Sequence, residues 1–268
     1  MTIQQLFARL WDQYLEVTPS ARPIQQLLGQ GHPIINDHVA FRTYALPDIR
    51  LEDLGRHFID LGYEYAGEYH FDIKKLDARH LQHPCAKYPK VFISELKVNE
   101  LSSEAQQIIG RLYQQLPAGF MQDTSALYNG SPWQLSYQDY LSLLGESEYA
   151  AWLGAFGYRV NHFTVSVNDL PGMTELEEVN QLVCDAGFKL NLSGGAIKGS
   201  AQAMLEQSST LADHADVEFS DRHAVIPSCF YEFALRYPDE HGQLYQGFVE
   251  ASADKIFDST NNEVTSFT

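Results

Sequence analysis

The chain has 268 residues, of which 44% are apolar and 20% charged, which suits a folded protein with a sizeable core rather than a disordered one. Its formal charge of −17 repels nucleic-acid phosphates and anionic membrane surfaces, so neither is an expected partner. No run of about 18 apolar residues exists to span a bilayer.

Cys85, Cys184 and Cys229 form no CxxC pair and are odd in number, which argues against a disulfide framework and for a reducing compartment. The opening MTIQQLFARLWDQYLEV lacks the apolar core and cleavage site of a secretory signal. A cytoplasmic protein is therefore expected.

Ile3, Leu6, Phe7, Leu10, Trp11, Tyr14 and Leu15 recur at helical spacing, and a second short helix is expected from Ile24 to Leu28, ended by Gly29. INDHVAFRTY then alternates as a strand. A turn at Leu46-Pro47 leads to a helix with Leu51, Leu54, Phe58 and Ile59 on one face; Gly62 ends it and a new strand starts at Tyr63. GEYHFDIKKL and VFISELKV read as further strands. Ser103 and Gln106 suggest a capping box for a helix through Ala105, Ile108, Ile109, Leu112 and Leu116, and a second helical stretch runs from Tyr137 to Gly154.

The first pattern then returns. RVNHFTVSVNDLPGMTELEEVNQLVCDAGFKL gives strand, Leu170-Pro171 turn, helix, Gly187 and strand again. His38 and His162 stand 124 positions apart, as do the two Leu-Pro turns and the pairs Ile73-Lys74 and Ile197-Lys198; Gly62 and Gly187 are separated by 125. Landmarks at one fixed offset signal an internal repeat. FKLNLSGGAIKG, DVEFS and SCFYEFALRY read as the later strands of the second copy. The expected fold is α+β, a single domain over 1–268: module one at about 33–98, a helical connector at about 101–156, and module two at about 157–255. Each module is β-α-β-β-β, and pairing them hides two inner faces around one cleft.

Alternate side chains of a strand share a face. His38, Ala40 and Arg42 therefore lie together, as do His162, Thr164 and Ser166. Two histidines at equivalent points of a repeat are candidate ligands of one metal near a pseudo-twofold axis. Glu232, in phase with Phe230, Ala234 and Arg236, is a candidate third ligand, because a carboxylate among aromatics is costly to bury unless a cation or a salt bridge to Arg236 offsets it. Glu95 is a candidate fourth ligand or acid, with an ion pair to Lys97 as the plain alternative. Two imidazoles and one carboxylate leave a divalent ion about +1 and open to an anionic chelating substrate such as a 2-oxo acid, with room for dioxygen. Arg42 and Arg236 are candidates to hold a substrate carboxylate bidentately, each with a structural salt bridge as the alternative. Lys74, Arg79 and His80 form a weaker basic set. There is no P-loop, HExxH or GxSxG, and the glycines at 194, 195 and 199 form no dinucleotide fingerprint.

Paired modules with His, His and Glu resemble the vicinal oxygen chelate superfamily. More narrowly, DHVAFRTY, NHFTVSVN, QSSTLADHADVEF, CFYEFALRY and QGFVEASADKIFDST resemble the 2-oxoadipate dioxygenase/decarboxylase family. That resemblance implies an Fe(II) enzyme that converts 2-oxoadipate and dioxygen to 2-hydroxyglutarate and CO2. It implies His38, His162 and Glu232 as metal ligands and Arg42 as a substrate-carboxylate binder. The alternatives are a glyoxalase-type lyase or isomerase using Zn, Ni or Mn, in which Glu95 matters, and a non-catalytic small-molecule binding protein of the same fold.

Overall fold

The computed structural model describes residues 1–250. The last positions assigned to module two, 251–255, and the end of the QGFVEASADKIFDST segment lie outside the described residues. Helices α1 (Ile3–Val17) and α2 (Ala21–Gly29) precede strand β1 (Asn36–Tyr44), helix α3 (Leu51–Ile59) and strands β2 (Glu64–Phe71), β3 (Leu76–Gln82) and β4 (Lys90–Leu96). Helices α4 (Ser103–Tyr113), α5 (Tyr137–Glu146) and α6 (Glu148–Phe156) connect to the second copy. That copy holds β5 (His162–Ser166), α7 (Leu176–Asp185), β6 (Lys198–Ser200), β7 (Leu205–Ser209), β8 (His214–Glu218), β9 (His223–Pro227) and β10 (Phe230–Arg236).

Eight strands form one mixed sheet in the order β2-β3-β4-β1-β5-β10-β7-β6. The order reads the same from either end once β2, β3, β4 and β1 are matched with β6, β7, β10 and β5. Both copies pair their first strand parallel to their last, β1 with β4 and β5 with β10. The copies meet at β1 and β5, which run antiparallel. This is the two-module β-α-β-β-β architecture expected from the repeat.

The two faces of the sheet differ in chemistry. Val39, Phe41, Phe163, Val165, Tyr231 and Phe233 are fully buried on one face. Trp11 of α1 packs edge-on to Phe163 at 5.0 Å, and Phe58 of α3 lies 5.6 Å from Phe41. Aromatic contacts of this kind add to simple area burial. The other face carries His38, Arg42, His162, Thr164 and Glu232, all buried.

Three local readings are corrected. The cap of α4 is Ser102, whose side chain accepts from Ala105 N–H, one residue before the expected Ser103. The stretch from Tyr137 to Gly154 is two helices, because Ser147 ends α5 and accepts from Ala150 N–H to cap α6. DVEFS belongs to the separate two-stranded β8–β9 ribbon, and its expected place in the sheet is taken by β7, LEQSS. That strand carries little hydrophobic alternation because its buried Gln207 and Ser209 line a polar region.

Helix α6 ends at Gly157, with φ 63° and ψ −145°. A Cβ there would meet Ser131 Cα at 2.3 Å and the Gly130 carbonyl oxygen at 2.4 Å. Gly157→Ala should therefore destabilise the protein by about 2–4 kcal/mol, combining backbone strain with a clash that no side-chain rotation relieves. Chemical denaturation of the variant beside the wild type measures this, and an unchanged midpoint would show that the turn relaxes freely.

Candidate metal centre

The seam between β1 and β5 sets the site. Its register places His38 opposite Thr164 and Ala40 opposite His162, so both imidazoles leave the same face on neighbouring strands. Their ring centres are 5.6 Å apart and nearly perpendicular. Strand β10 pairs Glu232 with Thr164, which brings its carboxylate between them. His38 Nε2 lies 3.4 Å from Glu232 Oε1, and His162 Nε2 lies 3.4 Å from Oε2. One ligand atom from each of the three residues falls within 4.8 Å of the others.

Each imidazole is held from behind by the residue that precedes it. Asp37 Oδ1 lies 2.7 Å from His38 Nδ1, and Asn161 Oδ1 lies 3.0 Å from His162 Nδ1. A carboxylate or amide oxygen only accepts, so both rings carry their proton on Nδ1 and turn the Nε2 lone pair towards Glu232. Adjacent residues of a regular strand point to opposite faces; the pairing of β1 shifts register between Asn36 and His38, and this bulge re-aims Asp37.

The centre is almost closed to solvent, and Glu232 is fully buried. Burial pushes the Glu232 carboxyl up to about 8, against the lowering effect of the Gln207 hydrogen bond at 2.6 Å. Its Oε2 has no hydrogen-bond partner among the described residues. Burial also holds His162 well below the usual imidazole range and lowers His38, the latter partly offset by Asp37. Burial raises the Asp37 carboxyl, yet the charge and hydrogen bonds of Arg236 outweigh this and hold it well below the usual range. Two neutral imidazoles converging on a buried carboxyl with an unsatisfied oxygen fit a divalent cation, which would satisfy all three groups at once. Phe230 stacks on His162 at 4.7 Å, and Phe248 packs edge-on to His38 at 4.8 Å.

The other candidate residues are placed differently. Arg42 is buried on the site face, donates to Glu148 at 3.1 and 3.3 Å, and lies over the rings of Tyr149 and Trp152 at 4.7 and 5.0 Å. Its positive charge contributes to the lowering of His162, after burial and His38. Arg236 does not offer its fork to a substrate: Nε and Nη2 donate to Asp37 at 2.5 and 2.9 Å, and Nη1 donates to the carbonyls of Tyr245 and Gly247. Lys74 sits in the β2–β3 turn, where the repeat would place a mate for the buried Lys198. Glu95 faces away from the centre. It pairs with Thr43, one residue out of phase with His38, and its carboxylate accepts from Arg50 at 2.5 Å and from Leu51 N–H at 2.9 Å, at the start of α3. The register mate of Glu232 in module one is Phe92, opposite Ala40.

Asp37, Asn161, Gln207 and Phe248 were not singled out from sequence, and Thr164 was placed only on the face of His162, whereas its hydroxyl lies 3.1 Å from His38 Nε2. The first two were within reach, because they too stand 124 positions apart.

Two antiparallel-joined β-α-β-β-β modules sharing a polar centre at their seam define a vicinal oxygen chelate, or glyoxalase-like, fold. A sequence profile of the 2-oxoadipate dioxygenase/decarboxylase family matches residues 2–128 and 120–238. The rice protein named 2-oxoadipate dioxygenase/decarboxylase, chloroplastic/amyloplastic, is 36% identical across 93% of this chain and 76% of its own length. A crystal structure of rice hydroxyglutarate synthase in complex with 2-oxoadipate superposes with a TM-score of 0.91 at 35% identity, covering 96% of this chain and 91% of that one. A Shewanella frigidimarina structure described as a hydrolase gives a TM-score of 0.90 at 53% identity over 93% of this chain and 98% of that one. The chain belongs to the 2-oxoadipate dioxygenase/decarboxylase family.

The relocation of Glu95 has a measurable consequence. Glu95→Gln should lower stability by about 1–2 kcal/mol, as expected for a weakened helix cap, while metal binding at the seam is retained. Loss of metal binding at unchanged stability would return Glu95 to the site.

Proposed function

We propose that this chain is an Fe(II)-dependent dioxygenase/decarboxylase that converts a 2-oxo acid, 2-oxoadipate foremost, and dioxygen into 2-hydroxyglutarate and CO2. The observation that carries the reading is the buried convergence of His38, His162 and Glu232 at the module seam. These three residues would hold the metal. Bound there, Fe(II) would supply a Lewis-acidic point for an anionic 2-oxo acid and the redox chemistry with dioxygen.

The chain's own residues do the rest. Asp37 and Asn161 fix the ring tautomers, so that both Nε2 lone pairs face the centre, where the Thr164 hydroxyl, 3.1 Å from His38 Nε2, would give way to the metal. Gln207 donates to Glu232 Oε1 and leaves Oε2 to face His162. The aromatic rings of Phe230 and Phe248 exclude water from the two imidazoles, which strengthens every charge interaction within. Arg42 is our candidate for the distal carboxylate of the substrate. Its fork lies on the site face and is oriented by Glu148 and the two rings of α6. Phe92 at the register mate of Glu232 leaves the centre with one candidate carboxylate ligand among the described residues, which disfavours a four-ligand glyoxalase-type site. The reading includes a cytoplasmic location; among the described residues no helix is long and apolar enough to cross a membrane.

The test is anaerobic loading with Fe(II) followed by oxygen-uptake assays against a panel of 2-oxo acids. Oxygen consumed, CO2 released and 2-hydroxyglutarate formed from 2-oxoadipate should match in amount, and a chelator should abolish all three. Turnover without oxygen would refute the assignment. In the same preparations, excess Fe(II) should raise the thermal midpoint of the wild type, since a ligand at about 100 times its Kd adds about 2.7 kcal/mol. His38→Ala, His162→Ala and Glu232→Gln should show no such rise.

Arg42→Ala should retain metal yet lose about 30- to 1,000-fold in kcat/KM on 2-oxoadipate, equivalent to about 2–4 kcal/mol of lost carboxylate binding. Arg42→Lys should recover only part of this, because an ammonium lacks the planar fork. Unchanged kcat/KM would make Arg42 a purely structural partner of Glu148.

A further inference from the structure

The repeat makes His38 and His162 equivalent in backbone, but their surroundings are not equivalent. Behind His38 stands a carboxylate, Asp37; behind His162, at the same position of the repeat, stands an amide, Asn161. The difference continues one layer further. Arg236 grips Asp37 with two hydrogen bonds, and Asp37 Oδ1 is shared between Arg236 Nη2 and His38 Nδ1. The register mate of Arg236 in module one is position 96, where β4 carries Leu96. One imidazole is thus backed by an acid clamped in an arginine fork, and the other by an uncharged amide with a leucine at the corresponding place.

Arg236 also acts in front of the ring. Its Nη1 holds the carbonyls of Tyr245 and Gly247 at 2.9 and 2.7 Å, and the next residue, Phe248, lies 4.8 Å edge-on to His38. Asp37, His38 and Arg236 are all buried, at 8%, 2% and 3% exposure, so neither water nor a mobile counter-ion evens out the difference.

We propose that Arg236 is a positioning residue which, through Asp37, fixes the orientation of His38 and makes it the stronger-binding of the two symmetry-related imidazoles. This rests on the metal-site reading above. A carboxylate that accepts the remote ring proton raises the basicity of the ligating nitrogen more than an amide does, and loss of such an outer partner lowers metal affinity by about 10- to 100-fold in comparable sites. Clamping by Arg236 holds the acid in one orientation and hence the ring in one plane.

The test uses the full chain and Fe(II) under argon, titrated in competition with a chromogenic chelator. Asp37→Asn should weaken Fe(II) binding about 10- to 100-fold, and Arg236→Lys, which keeps the charge but not the fork, should weaken it less. Asn161→Asp should tighten it, because it gives His162 the same kind of support. Proton NMR of the unaltered, metal-free protein supplies a readout that needs no variant: the His38 Nδ1–H resonance should lie further downfield than that of His162. If Asp37→Asn fails to fold, the NMR comparison and Asn161→Asp decide. Wild-type Fe(II) affinity in a folded Asp37→Asn, no tightening in Asn161→Asp, or coincident ring-proton shifts would overturn the proposal. If instead His38→Ala and Glu232→Gln bind Fe(II) as the wild type does, it is the metal-site reading that fails.

Discussion

The antiparallel pairing of β1 with β5 is the interaction on which the rest of this molecule depends. It joins the two halves of the sheet, and its register places His38 opposite Thr164 and His162 opposite Ala40. Because strand side chains alternate, a slip of one residue would send one imidazole into the helix-covered face among Phe41, Phe163 and Trp11. The parallel neighbours β4 and β10 are then fixed by hydrogen bonding to the seam strands. Glu232 therefore reaches the centre by register rather than by any local feature of its own.

Around that seam the protein keeps a set of polar groups in an otherwise apolar interior. Such groups are costly unless each has a partner. The arrangement meets the cost in layers: imidazole protons go to Asp37 and Asn161, the charge of Asp37 goes to Arg236, and one oxygen of Glu232 goes to Gln207. What is left over points inward, namely the Nε2 lone pair of His162 and a carboxyl oxygen, while the Nε2 lone pair of His38 meets the Thr164 hydroxyl at 3.1 Å. The family membership and this leftover set agree with each other, although one comes from similarity along the chain and the other from hydrogen-bond chemistry.

Much of this was legible in the sequence because the repeat and the strand period are both simple rules. The offset of 124 singled out two of ten histidines, and alternation put Arg42 on the same face as His38. The same rules were insufficient elsewhere for physical reasons. Glu95 looked like the counterpart of Glu232 because both sit in apolar strands, but the true mate is Phe92, and only the register with β1 shows that Glu95 is one residue out of phase. Arg236 was placed on the correct strand, but its partner lies 199 residues away at a bulge, and irregular pairing leaves no periodic trace. Strand β7 was missed because its residues serve a polar interior, so the hydrophobic alternation that usually marks a strand is weak there. The β8–β9 ribbon has better alternation, which drew the strand assignment to the wrong segment.

The contact between Phe248 and His38 gives the segment after β10 a part in the centre. The family profile matches up to residue 238, and beyond it the carbonyls of Tyr245 and Gly247 and the ring of Phe248 are built into the surroundings of a central histidine. A fragment cut at residue 238 would keep every candidate ligand and still deprive a buried guanidinium of two acceptors and an imidazole of its aromatic wall. The ten residues that follow position 238 therefore belong, in physical terms, to the wall of the centre rather than to a trailing tail.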